Sequence, residues 1–240
     1  MSPRPSAEPR RAWWPVLAVV AALQVGGAAG AGQATGAAEY ERARHFSGAT
    51  GQALDERQAF EHLQKAAENG WLPAQVDLGF TYFNGKGPVA RDLARSFEWF
   101  RRAADKGSVI AQCMLGDFYR DGLGGAGRSD AQALKWYRLS AASSDRCAPR
   151  SQFQLYKAYE TGRGVPQDMR QAVAWLRKSA EAGNPVAQAA LGRAYLAGRG
   201  LARDEETGRA WLRKSREGVA PHEDEDENAH AAPSSPPHRH

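Results

Sequence analysis

The sequence predicts an all-α fold, a solenoid built from antiparallel helix pairs. Three observations carry that expectation. A period of about 36 residues recurs, an apolar stripe at helical spacing appears in four copies, and glycine and capping residues recur at matching columns. Four segments align directly: AQVDLGFTYFNGKG from Ala74, AQCMLGDFYRDGLG from Ala111, SQFQLYKAYETGRG from Ser151 and AQAALGRAYLAGRG from Ala187. Their starts lie 37, 40 and 36 residues apart. A degenerate copy precedes them, with Ala38, Ala43 and Phe46 one 36-residue step before Ala74, Gly79 and Tyr82.

The first helix of each copy follows from its columns. Leu78, Leu115, Leu155 and Leu191 recur at one position, and Tyr82, Tyr119, Tyr159 and Tyr195 recur four residues later. With the small residue at the start, this makes an i, i+4, i+8 stripe, the spacing of a helix face and not of a strand. Gly79, Gly116 and Gly192 stand beside the leucines. A glycine inside a helix costs about 1 kcal/mol against alanine, so its recurrence implies a close helix approach. Tyr156 takes that column in the fourth copy, where local splaying or repacking is expected. A Gly-x-Gly ends each helix, as at Gly85 and Gly87, and suits left-handed backbone angles. These glycines do not read as a phosphate loop, because no strand precedes them and no Lys-Ser/Thr follows.

A second helix then begins at Asp55, Asp92, Ser129, Asp168 and Asp204, residue types that cap helix N-termini well. Seven residues on stand His62, Trp99, Trp136, Trp175 and Trp211, then Leu63, Phe100, Tyr137, Leu176 and Leu212. His62 therefore reads as a tryptophan replacement and not as a catalytic imidazole. A small pair follows, Ala66-Ala67 in the first copy, and Gly70, Gly107 and Gly183 close the helix. In the last copy the apolar column of Phe60, Phe97, Leu134 and Val173 becomes Arg209, and the small pair becomes Ser215-Arg216. That polar outer face reads as a terminal cap.

The pattern A-x-x-x-L-G-x-x-Y-x-x-G-x-G followed by D, W and A-A resembles the Sel-one-like repeat family, relatives of the tetratricopeptide repeat. The resemblance covers residues 38 to 218 and implies a right-handed superhelical stack of helix pairs. It divides the chain into five repeats at 38–73, 74–110, 111–150, 151–186 and 187–218. One helix pair cannot bury its own apolar side, and stacking supplies a continuous core.

The ends differ from the middle. Arg4, Arg10 and Arg11 precede an apolar stretch from Pro15 to Leu23, and Ala29-Gly30-Ala31 fits a small-residue cleavage site. Residues 1–31 therefore read as a secretory signal, giving a periplasmic or secreted protein with no stable membrane insertion after cleavage. An uncleaved membrane anchor is the competing reading, although the stretch is rich in Ala and Gly and weakly apolar for the roughly 20 residues a span needs. Residues 219–240 are acidic and then Pro/Ser/His-rich, and read as a disordered tail. Net charge is +5; the first 32 residues carry +2 and the last 22 carry −4, so the repeats hold +7. An acidic partner is favoured over a cationic one.

In the resembled family the side of the first helices turned away from the packing stripe lines a concave groove. The residues falling there include Phe80, Phe83, Asn84, Asp117, Arg120, Phe153, Lys157, Glu160 and Arg193. Aromatic and arginine side chains are common binding anchors. The competing reading is that the aromatics are covered by the next repeat. A basic stripe near the second-helix ends (Lys65, Arg101, Arg102, Arg138, Arg177, Lys178, Arg213, Lys214) either offsets the helix dipoles or forms an electropositive outer ridge. Cys113 and Cys147 are candidates for a disulfide, which needs α-carbons within about 7 Å. The family's own cysteine bridges lie at other columns and do not transfer.

Catalytic, metal and cofactor motifs were not found. No HExxH, paired CxxC or GxSxG occurs, and the repeats hold only His45 and His62. The expectation is a non-enzymatic scaffold or regulator in the bacterial envelope that binds a protein segment. Nucleic acid is a poor fit for an exported chain. An envelope-polymer (peptidoglycan or β-lactam) hydrolase and a secreted effector binding a host protein are the alternatives.

Overall fold

The computed structural model describes residues 27–49 and 54–217, which form ten α-helices and no strand among the described residues. They pair in order: α1 (Gly27–Phe46) with α2 (Glu56–Glu68), α3 (Leu72–Asn84) with α4 (Leu93–Asp105), α5 (Val109–Asp121) with α6 (Asp130–Ala141), α7 (Ala148–Thr161) with α8 (Met169–Glu181), and α9 (Pro185–Ala197) with α10 (Glu205–Glu217). Each second helix also packs on the first helix of the next pair, so the layers stack in chain order as an all-α solenoid. Most of the expected secretory segment and the C-terminal tail lie outside the described residues.

The start signals behave as the sequence predicts. Asp55, Asp92, Ser129 and Asp168 adopt extended backbone angles and accept hydrogen bonds from the N–H groups of Gln58, Arg95, Gln132 and Gln171. Asp204 does the same for Thr207 at 3.0 Å. The first helices end at Gly85, Gly122, Gly162 and Gly198, all left-handed. Such angles cost a residue with a Cβ, so the helix stops and the chain turns back there.

The mid-helix glycines mark the closest approach within a pair. A Cβ on Gly79 would lie 2.7 Å from the Phe100 ring, and one on Gly116 would lie 2.3 Å from the Tyr137 ring. Ser96 faces this column from α4 and donates to the Gly79 carbonyl at 2.8 Å. In the fourth repeat Tyr156 stands where the glycine does elsewhere. α7 and α8 nevertheless stay packed together, so the expected splaying does not occur and the repacking does. The residue in the overlying column is Leu176 in place of an aromatic ring, and the half-buried Tyr156 hydroxyl donates to Glu160 at 2.5 Å.

Polar tethers join consecutive repeats. Gln75, Gln152 and Gln188 are buried and donate from Nε2 to the carbonyls of Ala67, Ala141 and Ala180, at 3.1, 3.2 and 3.1 Å. These carbonyls belong to the last turn of the preceding second helix, where in-helix partners run out. Arg138 and Arg177 donate across to the hydroxyls of Tyr159 and Tyr195, one repeat on. Five of the eight residues of the basic stripe are accounted for by inter-repeat bonding and by stacking. Arg102, Lys178 and Lys214 lie over the rings of Trp99, Trp175 and Trp211 at 4.6, 4.7 and 5.1 Å. In the first repeat His62 stacks on Phe46 at 5.4 Å and its Nδ1 sits 2.6 Å from Glu39, a structural environment that fits its place in the tryptophan column. At the other end Arg209 is exposed and Leu212 only half-buried, where its counterparts in the preceding repeats are buried.

Candidate functional site

Five polar side chains meet where the third repeat joins the fourth. Asp117 on α5 is buried and needs partners for its charge. Its Oδ1 accepts from the Tyr137 hydroxyl at 2.7 Å and from Arg120 at 2.8 Å, while Oδ2 accepts from Arg150 at the start of α7. Arg120 turns its other nitrogens onto Asp121 in a two-pronged contact at 2.8 and 2.6 Å. The bond from Arg120 holds the Asp121 carboxyl below the usual carboxylate range. Burial and the Asp117 charge push the Tyr137 hydroxyl up, so it stays a donor. The node thus fixes the positions of Arg120 and Arg150 on the first-helix side of the stack.

Two clefts adjoin at this node and share Arg120, Asp121 and Arg150. The smaller, about 320 Å³, has an apolar floor from Phe80, Phe83, Met114, Phe118 and Leu123, with Asn84 and Asp117 beside it. The larger, about 640 Å³, runs between α5–α6 and α7. Its walls carry Arg128, Lys157 and Arg163 along with Asp130, Glu160 and Gln154. Together they form a trough that is greasy at one end and mainly cationic at the other.

The structure brings together most of the residues expected in the groove. Phe80, Phe83, Asn84, Asp117 and Arg120 line the smaller cleft, and Arg120, Lys157 and Glu160 line the larger. The two readings of the aromatics are both realised in part. Phe80 stands edge-on to Phe100 at 4.9 Å and Phe83 lies against Phe118 at 5.9 Å, yet both stay half-exposed at the cleft. Phe153 and Arg193 line neither cleft. Phe153 packs beside Tyr156 on the core of the fourth and fifth repeats, under the Lys157 ammonium, and Arg193 is exposed on α9.

Tyr137 and Arg150 are the members of the node that sequence reasoning missed. Tyr137 reads as a packing residue because its column holds Leu63, Phe100, Leu176 and Leu212. Its hydroxyl was the available signal: a buried phenol needs a partner, and the column's other members offer none. Arg150 ends the stretch SSDRCAPR, residues 143–150, an insertion that lengthens the third repeat, so no column constrains it.

Cys113 is fully buried in α5, and Cys147 is half-buried at the N-cap of α7. Both are free thiols in the structure, and each lies close enough to the other to shift its titration. Among the described residues no group of three or more His, Cys, Asp or Glu side chains could hold a metal ion. No helix among them is long and apolar enough to cross a membrane.

The Sel1 repeat pattern matches five successive stretches, residues 36–71, 72–108, 109–145, 149–184 and 185–218. The chain belongs to the Sel1 repeat family. Solved structures agree with that assignment. A protective antigen present in uropathogenic Escherichia coli strains, displaying an SLR fold, is 33% identical with a TM-score of 0.70 over 78% of this chain. The match spans only 39% of the antigen's own length. A Sel1 repeat protein from Oxalobacter formigenes is 27% identical with a TM-score of 0.71, covering 78% of this chain and 74% of that one. Among curated proteins there is no match. Sel1 repeat proteins generally mediate protein–protein interaction.

Proposed function

We propose that this protein is an exported scaffold or regulator of the bacterial envelope that holds an acidic segment of a protein partner along the trough of α3, α5 and α7. It acts by attachment and not by catalysis. The observation that carries the reading is the pair of adjoining clefts, with an apolar floor of phenyl rings beside a wall of Arg128, Lys157 and Arg163. An apolar anchor flanked by carboxylates would satisfy both ends. The +7 charge of the repeats favours the same polarity. Export, with a periplasmic or secreted destination, rests on the order of basic, apolar and small residues at the N-terminus.

The test is site-specific photocrosslinking in envelope extract. A photoreactive residue at Asn84 or Gln154 should give one shared adduct, abolished by Phe83→Ala or Lys157→Glu. The same probe at Arg102, over Trp99 on the second-helix side, should give none. Equal labelling from all three positions would remove the groove assignment. Turnover of nitrocefin or of purified muropeptides would overturn the non-catalytic reading.

A further inference from the structure

Cys113 and Cys147 belong to neither the packing columns nor the trough wall. The fold nevertheless brings them together. α5 and α7 pack directly on one another although the insertion separates them in sequence. A small turn holds Cys147 in place: the Asp145 N–H donates to Ser143 Oγ at 2.8 Å, and the Cys147 N–H donates to Asp145 Oδ1 at 3.2 Å. Cys147 occupies the N-cap of α7 without making a side-chain cap bond, so its sulfur is not committed to the helix end. It is also the member of the pair that reaches solvent, since Cys113 is fully buried.

We propose that Cys113 and Cys147 are a thiol–disulfide exchange site, closed by an external disulfide into an intramolecular bond that ties the start of α7 to α5 beneath the Asp117–Arg150 contact. The inference stands independently of what the trough binds.

The surroundings favour the reactive form. The hydrogen bond from Cys147 outweighs burial and, with Ser151 and the Arg150 cation, holds the Cys113 thiol down at about 7 against the opposing charge of Asp117. The Cys147 thiol is pushed up in the same contact, because it is the donor. The pair therefore sheds one proton near neutrality and shares the resulting anion. In the first step the Cys147 sulfur attacks an external disulfide RSSR and hands its proton to the Cys113 thiolate beside it. A Cys147–S–SR bond forms and RS⁻ leaves. In the second step RS⁻ takes the proton from Cys113, whose sulfur attacks Cys147 sulfur and expels the second RS⁻, protonated by solvent. The protein gives up two electrons and two protons; the external disulfide takes both and becomes two RSH. Arg150 lies three residues after Cys147, so the new bond anchors the segment that presents Arg150 to Asp117.

The experiment treats the full-length protein with oxidised glutathione and follows intact mass and non-reducing peptide maps. The expected result is a loss of about 2 Da with one peptide pair linking Cys113 to Cys147, and a Tm higher by about 5–10 °C than in reductant. Cys113→Ser should instead keep a stable glutathione adduct on Cys147, because the second step is lost. A wild-type protein that keeps both thiols open to alkylation after this treatment would overturn the proposal. So would one that accumulates the Cys147 adduct without closing it. Both outcomes are read on the wild-type chain, so neither depends on the variant folding.

Discussion

The Tyr40 hydroxyl reaches across from α1 to Asp77 on α3 and donates to its Oδ2 at 2.6 Å. Asp77 is buried, and burial pushes its carboxyl up to about 6, against the opposing effect of the Tyr40 bond. The folded protein therefore binds a proton there that the unfolded chain has already released. Stability from this group is greatest below about pH 4 and falls as pH rises through about 6. Asp77→Asn keeps the acceptor and removes the charge. The variant should gain on wild type by up to about 3 kcal/mol between pH 4 and pH 7.5, read from urea midpoints at each pH. A constant difference across that range would show that Asp77 carries no such shift.

The glycine column gives a prediction in which packing opposes helix propensity. Gly116→Ala would gain about 1 kcal/mol as a helix former. Its Cβ would stand 2.3 and 2.5 Å from two carbons of the Tyr137 ring. The ring is held by its bond to Asp117 and cannot swing aside freely. A net loss of about 1–3 kcal/mol is expected. Adding Tyr137→Leu, the residue that the fourth repeat places in the same column, should reduce the steric part of that loss in a double-mutant cycle.

The glutamine tethers should act locally. Gln188→Leu removes the side-chain donor to the Ala180 carbonyl, which keeps the Gly183 N–H at 3.1 Å. The expected cost is about 0.5–1.5 kcal/mol. Amide exchange should quicken in α8 and α9 and stay unchanged in α3 and α4. A uniform change along the chain would contradict nearest-neighbour stacking.

The two ends of the trough should separate stability from binding. Asp117→Ala leaves Arg120, Arg150 and the Tyr137 hydroxyl without their shared acceptor, and should cost about 3 kcal/mol. Lys157→Ala removes an exposed ammonium over Phe153 and should move stability by no more than about 0.5 kcal/mol. If the trough binds as proposed, Lys157→Ala weakens the photocrosslinked adduct while the melting curve stays put.

The architecture was legible because its signals repeat. A cap at Asp92 alone is weak, but the same cap at Asp55, Ser129, Asp168 and Asp204 fixes a helix start five times. The glycine column likewise announced a close approach that the rings of Phe100 and Tyr137 fill. The site was only partly legible, for the opposite reason. Phe83 and Lys157 could be placed by column, whereas Arg150 ends an insertion with no counterpart in the other repeats. Phe153 was drawn into the groove by its column, yet the core beside it claims the ring, because Tyr156 fills the glycine position and offers an apolar neighbour. The basic stripe hid two tethers for a similar reason: Arg138 and Arg177 find their tyrosines only after the next repeat has stacked.

The glutamine and arginine tethers bridge only adjacent layers, and α10 presents an exposed Arg209 and a half-open Leu212 to solvent. Such a stack behaves like a zipper and not like a single all-or-none globule. Unwinding should start at α10 and travel inward one layer at a time, so the fifth repeat opens before the layers around Asp117. Pulled from its C-terminal end, the protein should therefore lengthen in steps of about one repeat, the first of them paying out chain while the trough is still intact.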